Sequence, residues 1–258
     1  CMKWTGEIIN SGDNDLSTPF DEIWTEKEEF GPESIYELDL DYKPSLSINS
    51  AGNHQWASIQ GFRGQPNGGW GMNGPSELLR NDMAGDPRYH ATVLSDGDVR
   101  EGVTFKSAAV PNPHYNAKVY APLYEQQMYN RNTAGGQWLN IRLIRYSDIV
   151  LMHAECACEL GNLAEAREKL EMVRARARGG DSSKLPEITT EVQAELREAI
   201  HTERRFELAM EFERYFDLIR WGETDKITGF KEGCHELYPI PQKQIDASNG
   251  ILTQNPGY

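Results

Sequence analysis

The apolar and polar residues from Glu203 to Gly222 follow a pattern that predicts a helix covered on two sides. At 100° per residue one broad face is apolar, and a second, narrower apolar face lies apart from it. The broad face holds Leu208, Ala209, Phe212, Tyr215, Phe216 and Ile219, and the narrow face holds Phe206, Met210 and Trp221. We interpret the charged residues between these faces as packing and bridging groups, not as catalytic groups. Such a helix suits a stacked array of helices or a bundle wrapped by long loops.

The preceding segments predict a pair of antiparallel helices, one over residues 140–161 and one over 162–179. Each ends at a glycine, which is a common helix stop. The pair spans about 36 residues, close to the period of a tetratricopeptide repeat. A third long helix is predicted over residues 190–221. The expected fold is therefore mostly α-helical, either a stacked array of helix pairs or a helix bundle.

The chain before residue 140 has little sustained periodicity. Residues 1–10 predict the end of a helix, and the alternation over residues 33–42 predicts a short strand. Residues 43–75 and 106–139 predict two long irregular stretches, of a length that is usually functional or disordered. The expected organisation is a loop-rich subregion over 1–139, helices over 140–222 and an extended tail over 223–258.

Composition and charge exclude some classes of function. The net charge of −14 argues against nucleic acid as a partner, because phosphate binding needs a basic surface. No apolar run approaches the ~20 residues of a membrane span. The four cysteines have no zinc-type spacing, and the G-x-G-x-x-G of residues 69–74 follows no apolar strand. The sequence therefore predicts no catalytic residue, no cofactor and no metal site.

Three segments resemble the signature segments of the SusD/RagB family. They are RLIRYSDIVLMHAECACELG, ERRFELAMEFERYFDLIRWG and LYPIPQKQID with the later LTQNPGY. The earlier pieces IINSG, ESIYELD and GWGMNGPSELLRNDMAGDPRY resemble the family in the same order. The resemblance therefore extends over nearly the whole chain.

This resemblance implies a SusD-like fold, with a loop-rich ligand-binding region carried on tetratricopeptide-like helix pairs. Family members are lipid-anchored proteins on the outer face of the outer membrane of Bacteroidetes. They bind glycans, or in some cases peptides, and cover a TonB-dependent transporter of the SusC type. Because relatives are longer at the N-terminus, we expect this chain to be the C-terminal part of such a protein. Any lipid anchor is then expected upstream, and Cys1 is not expected to be the lipidated cysteine.

The loop over residues 49–75 carries the predicted ligand-binding residues. A protein binds a sugar by stacking an aromatic ring on its apolar face and by hydrogen-bonding its hydroxyl groups. The candidates are Trp56, Phe62, Arg63, Asn67 and Trp70. The alternative is that these rings attach a long loop to the core. A second-rank set of aromatic residues holds Tyr115, Tyr120, Tyr124 and Trp138.

Three functions remain open from the sequence. The first is glycan or peptide capture for a transporter without catalysis. The second is glycoside hydrolysis by a pair of carboxylates, although nothing selects two of the 40 acidic residues. The third is a helical scaffold that only contacts its transporter. We expect the first, with a glycan as the ligand.

Overall fold

The computed structural model of the chain describes residues 1–40, 55–66, 68–124 and 138–258. Parts of both predicted irregular stretches lie outside this range, as does Asn67. The helices are α1 Met2–Ser11, α2 Trp56–Gln60, α3 Glu77–Asp82, α4 Tyr89–Thr92, α5 Tyr146–Glu159, α6 Leu163–Arg178, α7 Gln193–Glu207, α8 Arg214–Arg220 and α9 Gln242–Ala247. The strands are β1 Ser34–Leu38, β2 Gly64–Gln65, β3 Val93–Ser95, β4 Val99–Arg100, β5 Val103–Thr104, β6 Lys106–Ser107, β7 His114–Asn116 and β8 Ile141–Arg145.

The longest helices share one apolar core. Helices α5, α6 and α7 pack together, and α1 packs against α5. Small side chains such as Ala154, Ala157 and Ala166 are fully buried where α5 and α6 meet. They allow the two helices to approach closely around Leu170 and Ile200. The predicted helix pair is therefore present, and Gly179 ends α6 in the left-handed conformation.

Short antiparallel strand pairs join segments of the loop-rich part to one another and, through β8, to the segment before α5. Strand β1 pairs with β8, β2 with β6, β3 with β7, and β4 with β5. The β4–β5 pair is a hairpin whose two turn residues, Glu101 and Gly102, have positive φ angles of 51° and 74°. Within the described parts of the predicted irregular stretches, β2, β6 and β7 are therefore short ordered strands.

Two predictions of the sequence pattern are wrong in their details. Residues 141–145 are a strand and not the start of a helix, so α5 begins only at Tyr146. The predicted helix over 190–221 is interrupted between α7 and α8. Met210 and Phe212 adopt positive φ angles of 69° and 74°, which a right-handed helix cannot contain. Residues 208–221 therefore do not lie on one continuous helix, and the two apolar faces predicted for it are not formed.

The chain divides into two compact units, Cys1–Met210 and Glu211–Tyr258. The second unit contains α8, α9 and a set of ring contacts. The ring of Tyr215 lies within 6.4 Å of the rings of Phe216, Phe230 and Tyr238, measured between centroids. Its hydroxyl donates to the carbonyl of His235 over 2.6 Å. The predicted extended tail is thus only partly extended, because α9 interrupts it.

In the first unit, a buried cluster of ion pairs attaches the loops to the helices. Glu207, at the end of α7, is fully buried and accepts from Arg88 over 3.0 Å and from Arg145 over 3.1 Å. Arg176 of α6 pairs with the same carboxylate, and Lys118 donates to the backbone carbonyl of Glu207 over 2.9 Å. Since Arg88 and Lys118 belong to the loop-rich part, this cluster fixes the loops on the helical core.

Candidate functional site

The described residues 55–66 and 68–72 belong to a compact loop whose two arms are joined by backbone hydrogen bonds. It begins with α2 and returns so that the amide of Trp70 donates to the carbonyl of Ser58 over 2.8 Å. The amides of Gly69 and Gly71 donate in the same way to the carbonyls of Phe62 and Gly61, over 2.7 and 3.0 Å. The side chains that this loop presents therefore stand on an ordered support.

Glycine is required where the two arms of this loop meet. A Cβ atom on Gly69 would lie 2.5 Å from the backbone of Gly61. One on Gly64 would lie 2.1 Å from the carbonyl oxygen of Lys106 in the paired strand β6. The high glycine content that predicted a loop thus reflects close backbone packing.

Three of the predicted site residues lie on this loop with exposed or half-buried side chains. Trp56 is the first residue of α2 and is half-buried. The Trp70 side chain is 43% exposed, and its backbone lies beside Ser58, two residues after Trp56. Arg63 lies between the two tryptophans in the sequence, and its side chain is exposed. The loop thus carries two tryptophans and an exposed arginine, and we call this part of it the Trp56–Trp70 surface.

Phe62 has a different role. Only 1% of its surface is exposed, and its ring lies 5.0 Å from that of Phe105 and 4.6 Å from that of Tyr115. These rings form a buried aromatic cluster under the loop, together with Leu94 and Tyr120. The expectation that the Phe62 ring stacks on a ligand is therefore not met in this structure. Phe62 attaches the loop to the core, as the alternative interpretation proposed for such rings.

The second-rank aromatic residues also separate by burial. Tyr115 and Trp138 are each 1% exposed and belong to the core, whereas Tyr124 is 52% exposed. Tyr120 is 8% exposed and lies at the boundary of a cleft that the sequence did not predict.

This cleft, which we call the hairpin cleft, has a volume of about 620 Å³. One wall is the β4–β5 hairpin, and the others come from α4 and from the segments around residues 21–25 and 117–122. It is lined by Asp21, Trp24, Thr25, His90, Ala91, Asp98, Val99, Arg100, Glu101, Ala117, Tyr120 and Pro122. The one sequence signal for it is the turn in DGDVREGV, which predicts a hairpin but not a cleft.

Polar contacts hold the hairpin beside the cleft. The Glu101 carboxylate accepts from the Tyr120 hydroxyl over 3.0 Å and from the amides of Leu123 and Tyr124 over 3.1 and 3.2 Å. The Arg100 guanidinium lies 5.4 Å from the centre of the Tyr120 ring. Burial lowers the pKa of Arg100, and burial together with the nearby Glu101 raises the pKa of the Tyr120 hydroxyl. Tyr120 is therefore a neutral hydrogen-bond donor at physiological pH.

One carboxyl group in the first unit has the raised pKa expected of a general acid. Burial raises the pKa of Glu29 to about 7, against the effects of the Asn140 amide and of Arg142. Glu37 lies nearby, and Asn140 donates to both carboxylates, over 2.7 and 3.1 Å. The cavity beside Glu37 holds only about 10 Å³, far too little for a sugar ring. This geometry gives Glu37 a structural role, since its carboxylate is bonded to Asn140 and paired with Arg142.

Within the described ranges, no helix has both the length and the apolar character that crossing a membrane requires.

The fold and the site together define a class of protein: helical hairpins that support an ordered loop with one exposed and one half-buried tryptophan. The model of the SusD family matches residues 59–235, which is more than half of the chain. The chain belongs to the SusD family.

The relatives agree with this assignment. SusD-like protein P2 of Formosa agariphila is 28% identical over 244 residues, which cover 85% of this chain and 47% of that protein. A laminarin-binding SusD-like protein of known structure is 29% identical, with a TM-score of 0.72 over 95% of this chain and 54% of that one.

A third similar protein is surface glycan-binding protein A from Bacteroides thetaiotaomicron in complex with laminarihexaose. It is 24% identical, with a TM-score of 0.77 over 98% of this chain and 58% of that one. At this level of sequence identity, the similarity shows a shared fold and nothing more. The chain spans about half the length of the relatives it matches.

Proposed function

We propose that this chain is the glycan-binding part of a cell-surface protein that captures oligosaccharides or polysaccharides as nutrients. The observation that carries the proposal is the Trp56–Trp70 surface. It combines two indole rings with an exposed guanidinium on a loop that is fixed by backbone hydrogen bonds. Indole faces stack on the C–H faces of sugar rings, and a guanidinium donates to their hydroxyl groups.

The chemical class of the ligand is a neutral glycan. Two structurally similar proteins are described as binding laminarin or laminarihexaose. A chain with a net charge of −14 would repel a polyanionic ligand. Laminarihexaose is therefore the first oligosaccharide to test.

In this proposal the protein delivers its ligand to a TonB-dependent transporter of the SusC type in the outer membrane. This partner follows from membership of the SusD family and from the resemblance of the signature segments. The protein then lies on the outer face of the outer membrane, attached by a lipid anchor that is upstream of this chain.

We also propose that the protein binds its glycan without cleaving it. The deeply buried carboxylates Glu33, Glu203 and Glu207 are paired with arginines, and the cavity beside Glu37 is too small for a sugar ring. A hydrolase needs two carboxylates on either side of an accessible bond. Release of reducing ends from laminarin, lost on mutation of two carboxylates, would refute this point.

Calorimetric titration tests the main proposal. The purified protein is titrated with laminarihexaose, maltohexaose, cellohexaose and a mixture of short peptides. Binding of one or more oligosaccharides supports the proposal. Binding of the peptides alone would favour the peptide-binding alternative, and no binding of any kind would favour the scaffold alternative.

A further inference from the structure

We propose that the hairpin cleft is a second glycan-binding site, which holds a sugar unit apart from the Trp56–Trp70 surface. This inference rests on the proposed function, because it concerns the same class of ligand. The volume of about 620 Å³ lies in the range of small-ligand sites and accommodates more than one sugar ring.

The strongest observation is an unpartnered donor in the wall of the cleft. Trp24 is 8% exposed, and its Nε1 atom is buried without a hydrogen-bond partner among the described residues. A buried N–H group without a partner is rare in native proteins, because its desolvation is not compensated. Cations already lie over its ring, with Lys118 Nζ at 4.8 Å and the Arg145 guanidinium at 5.1 Å. Because Trp24 lines the cleft and its N–H has no protein partner, we assign this donor to a ligand that enters the cleft.

The other lining residues fit a neutral, hydroxyl-rich molecule. Ala91, Val99 and Ala117 supply apolar surface, while Arg100 and Asp21 supply donors and acceptors. A sugar hydroxyl both donates and accepts, so it can use such a mixed wall.

The charged residues that line the cleft restrict the class of ligand further. The cleft is lined by three carboxylates, those of Asp21, Asp98 and Glu101, and by one guanidinium, that of Arg100. The Asp98 carboxylate accepts a hydrogen bond from the Ser95 amide over 2.7 Å, and the Glu101 carboxylate accepts one from the Tyr120 hydroxyl. An anionic ligand would meet the excess of negative charge, so a sulfated or uronic-acid glycan is disfavoured.

The aromatic cluster under the loop separates this cleft from the Trp56–Trp70 surface. The Phe105 ring lies 5.0 Å from Phe62 and 5.4 Å from Tyr120. Phe62 belongs to the loop, whereas Tyr120 lines the cleft. The two surfaces therefore share one rigid core but use different residues.

Fluorine NMR of protein labelled with 5-fluorotryptophan tests the proposal directly. The chain has six tryptophans, and single Trp→Phe variants assign each signal by its disappearance. The probe is laminarihexaose, followed by maltohexaose and cellohexaose. We expect the Trp24 signal to shift during the titration, together with the Trp56 or Trp70 signal, while the Trp4 signal stays unchanged.

Trp24→Phe measures the contribution of the N–H group. This variant keeps an aromatic ring beside Lys118 and Arg145 and removes a donor that has no protein partner. Its melting temperature should be equal to that of the wild type or higher, and its affinity should fall about three- to tenfold. Trp4→Phe is the matched control, because Trp4 is 63% exposed on α1, and it should change neither quantity.

The outcomes distinguish the two proposals. If the Trp56 or Trp70 signal shifts while the Trp24 signal and the affinity of Trp24→Phe are unchanged, the cleft proposal is wrong and the proposed function stands. If none of the oligosaccharides shifts any tryptophan signal, both proposals fail. A shift of Trp24 that persists in a Trp56→Ala variant would establish the cleft as an independent site.

Discussion

At the residue scale, burial separates three aromatic side chains of one short loop. Trp70 is 43% exposed and Trp56 is half-buried, whereas Phe62 is 1% exposed. The two indole rings are proposed to stack on sugar, and the phenyl ring holds the loop to Phe105 and Tyr115. A substitution at each position should therefore have a different effect on stability.

Phe62→Ala should destabilise the protein by about 3–5 kcal/mol, because it opens a cavity in a packed aromatic cluster. The melting temperature of a domain of this size should then fall by roughly 6–20 °C. Thermal unfolding followed by circular dichroism measures this change. Trp70→Ala is the control and should lower the melting temperature only slightly. A small effect of Phe62→Ala would show that the cluster does not hold the loop.

The raised pKa of Glu29 makes stability depend on pH in a defined direction. The folded state binds a proton up to a pH of about 7, while the unfolded state releases it near its ordinary value of 4.5. The contribution of Glu29 to the free energy of unfolding therefore falls as pH rises from about 4.5 to 7. Because the carboxyl is partly exposed and solvent screens it, the full change is on the order of 1–2 kcal/mol.

Glu29→Gln should remove this dependence, because the amide oxygen can still accept from Asn140 without ionising. Urea unfolding at pH 4, 6 and 8 should show equal stability at pH 4 and a more stable variant at pH 8. The exposed Glu22→Gln is the control and should follow the wild type at each pH. A variant that is less stable than the wild type at pH 8 would contradict this assignment.

At the element scale, close backbone packing gives the loop its shape. Gly69→Ala would place a Cβ atom 2.5 Å from the backbone of Gly61, so the returning arm with Trp70 must move. We expect a loss of about 1–3 kcal/mol of stability and a weaker affinity for the glycan. Urea unfolding and calorimetric titration measure the two effects.

Gly6→Ala provides the same chemical change at a site that accepts it. Its Cβ atom would lie 3.5 Å from His153 in an ordinary contact, within α1. Alanine should raise helix stability by up to about 1 kcal/mol and leave the affinity unchanged. If Gly69→Ala lowers stability but leaves the affinity unchanged, the loop does not position the ligand-binding rings.

Secondary-structure elements could be predicted from the sequence where their signals lie within the element itself. Helices α1 and α6 and strand β1 follow from periodicity and from stop signals that lie beside them. The break after Glu207 was missed, because the helical spacing of apolar residues continues past it, although Met210 and Phe212 adopt positive φ angles. Strand β8 was missed because its pairing partner, β1, lies more than 100 residues away.

The same limit applies to the candidate site. Its aromatic and glycine content predicted a ligand-binding loop, but it did not show which ring is buried. The burial of Phe62 depends on Phe105 and Tyr115, which come from later strands and turns. The hairpin cleft joins residues from four separate segments, so no local pattern could predict it.

At the scale of the whole molecule, the buried ion pairs of the first unit should make the fold sensitive to acid. Burial alone would raise the pKa of Glu207, but Arg176, Arg145 and Arg88 outweigh it and hold that pKa well below its ordinary range. The contribution of this carboxylate to the free energy of unfolding is therefore fully present above its unfolded pKa of about 4.5. It is lost as the pH falls below that value.

Glu207→Gln should cost about 3–5 kcal/mol at pH 7, because buried guanidinium groups lose a charged partner. The difference from the wild type should shrink below about pH 4.5, as the unfolded wild-type carboxyl becomes protonated. Urea unfolding between pH 3 and 7 measures this. Glu159→Gln, in a partly exposed pair with Arg197, is the control and should cost less than about 1 kcal/mol. If Glu207→Gln loses the same amount of stability at every pH, the electrostatic explanation is wrong.

The central claim is that the ordered loop binds a glycan through its indole rings. Calorimetry with laminarihexaose, on the wild type and on a Trp56→Ala/Trp70→Ala variant, tests it most directly. We expect a Kd between about 1 μM and 1 mM for the wild type and at least a tenfold loss of affinity in the variant, equivalent to ~1.4 kcal/mol. The melting temperature of the variant should stay within a few degrees of the wild-type value. A variant that unfolds at a much lower temperature yet binds the oligosaccharide as tightly as the wild type would show that these rings hold the loop and do not bind the glycan.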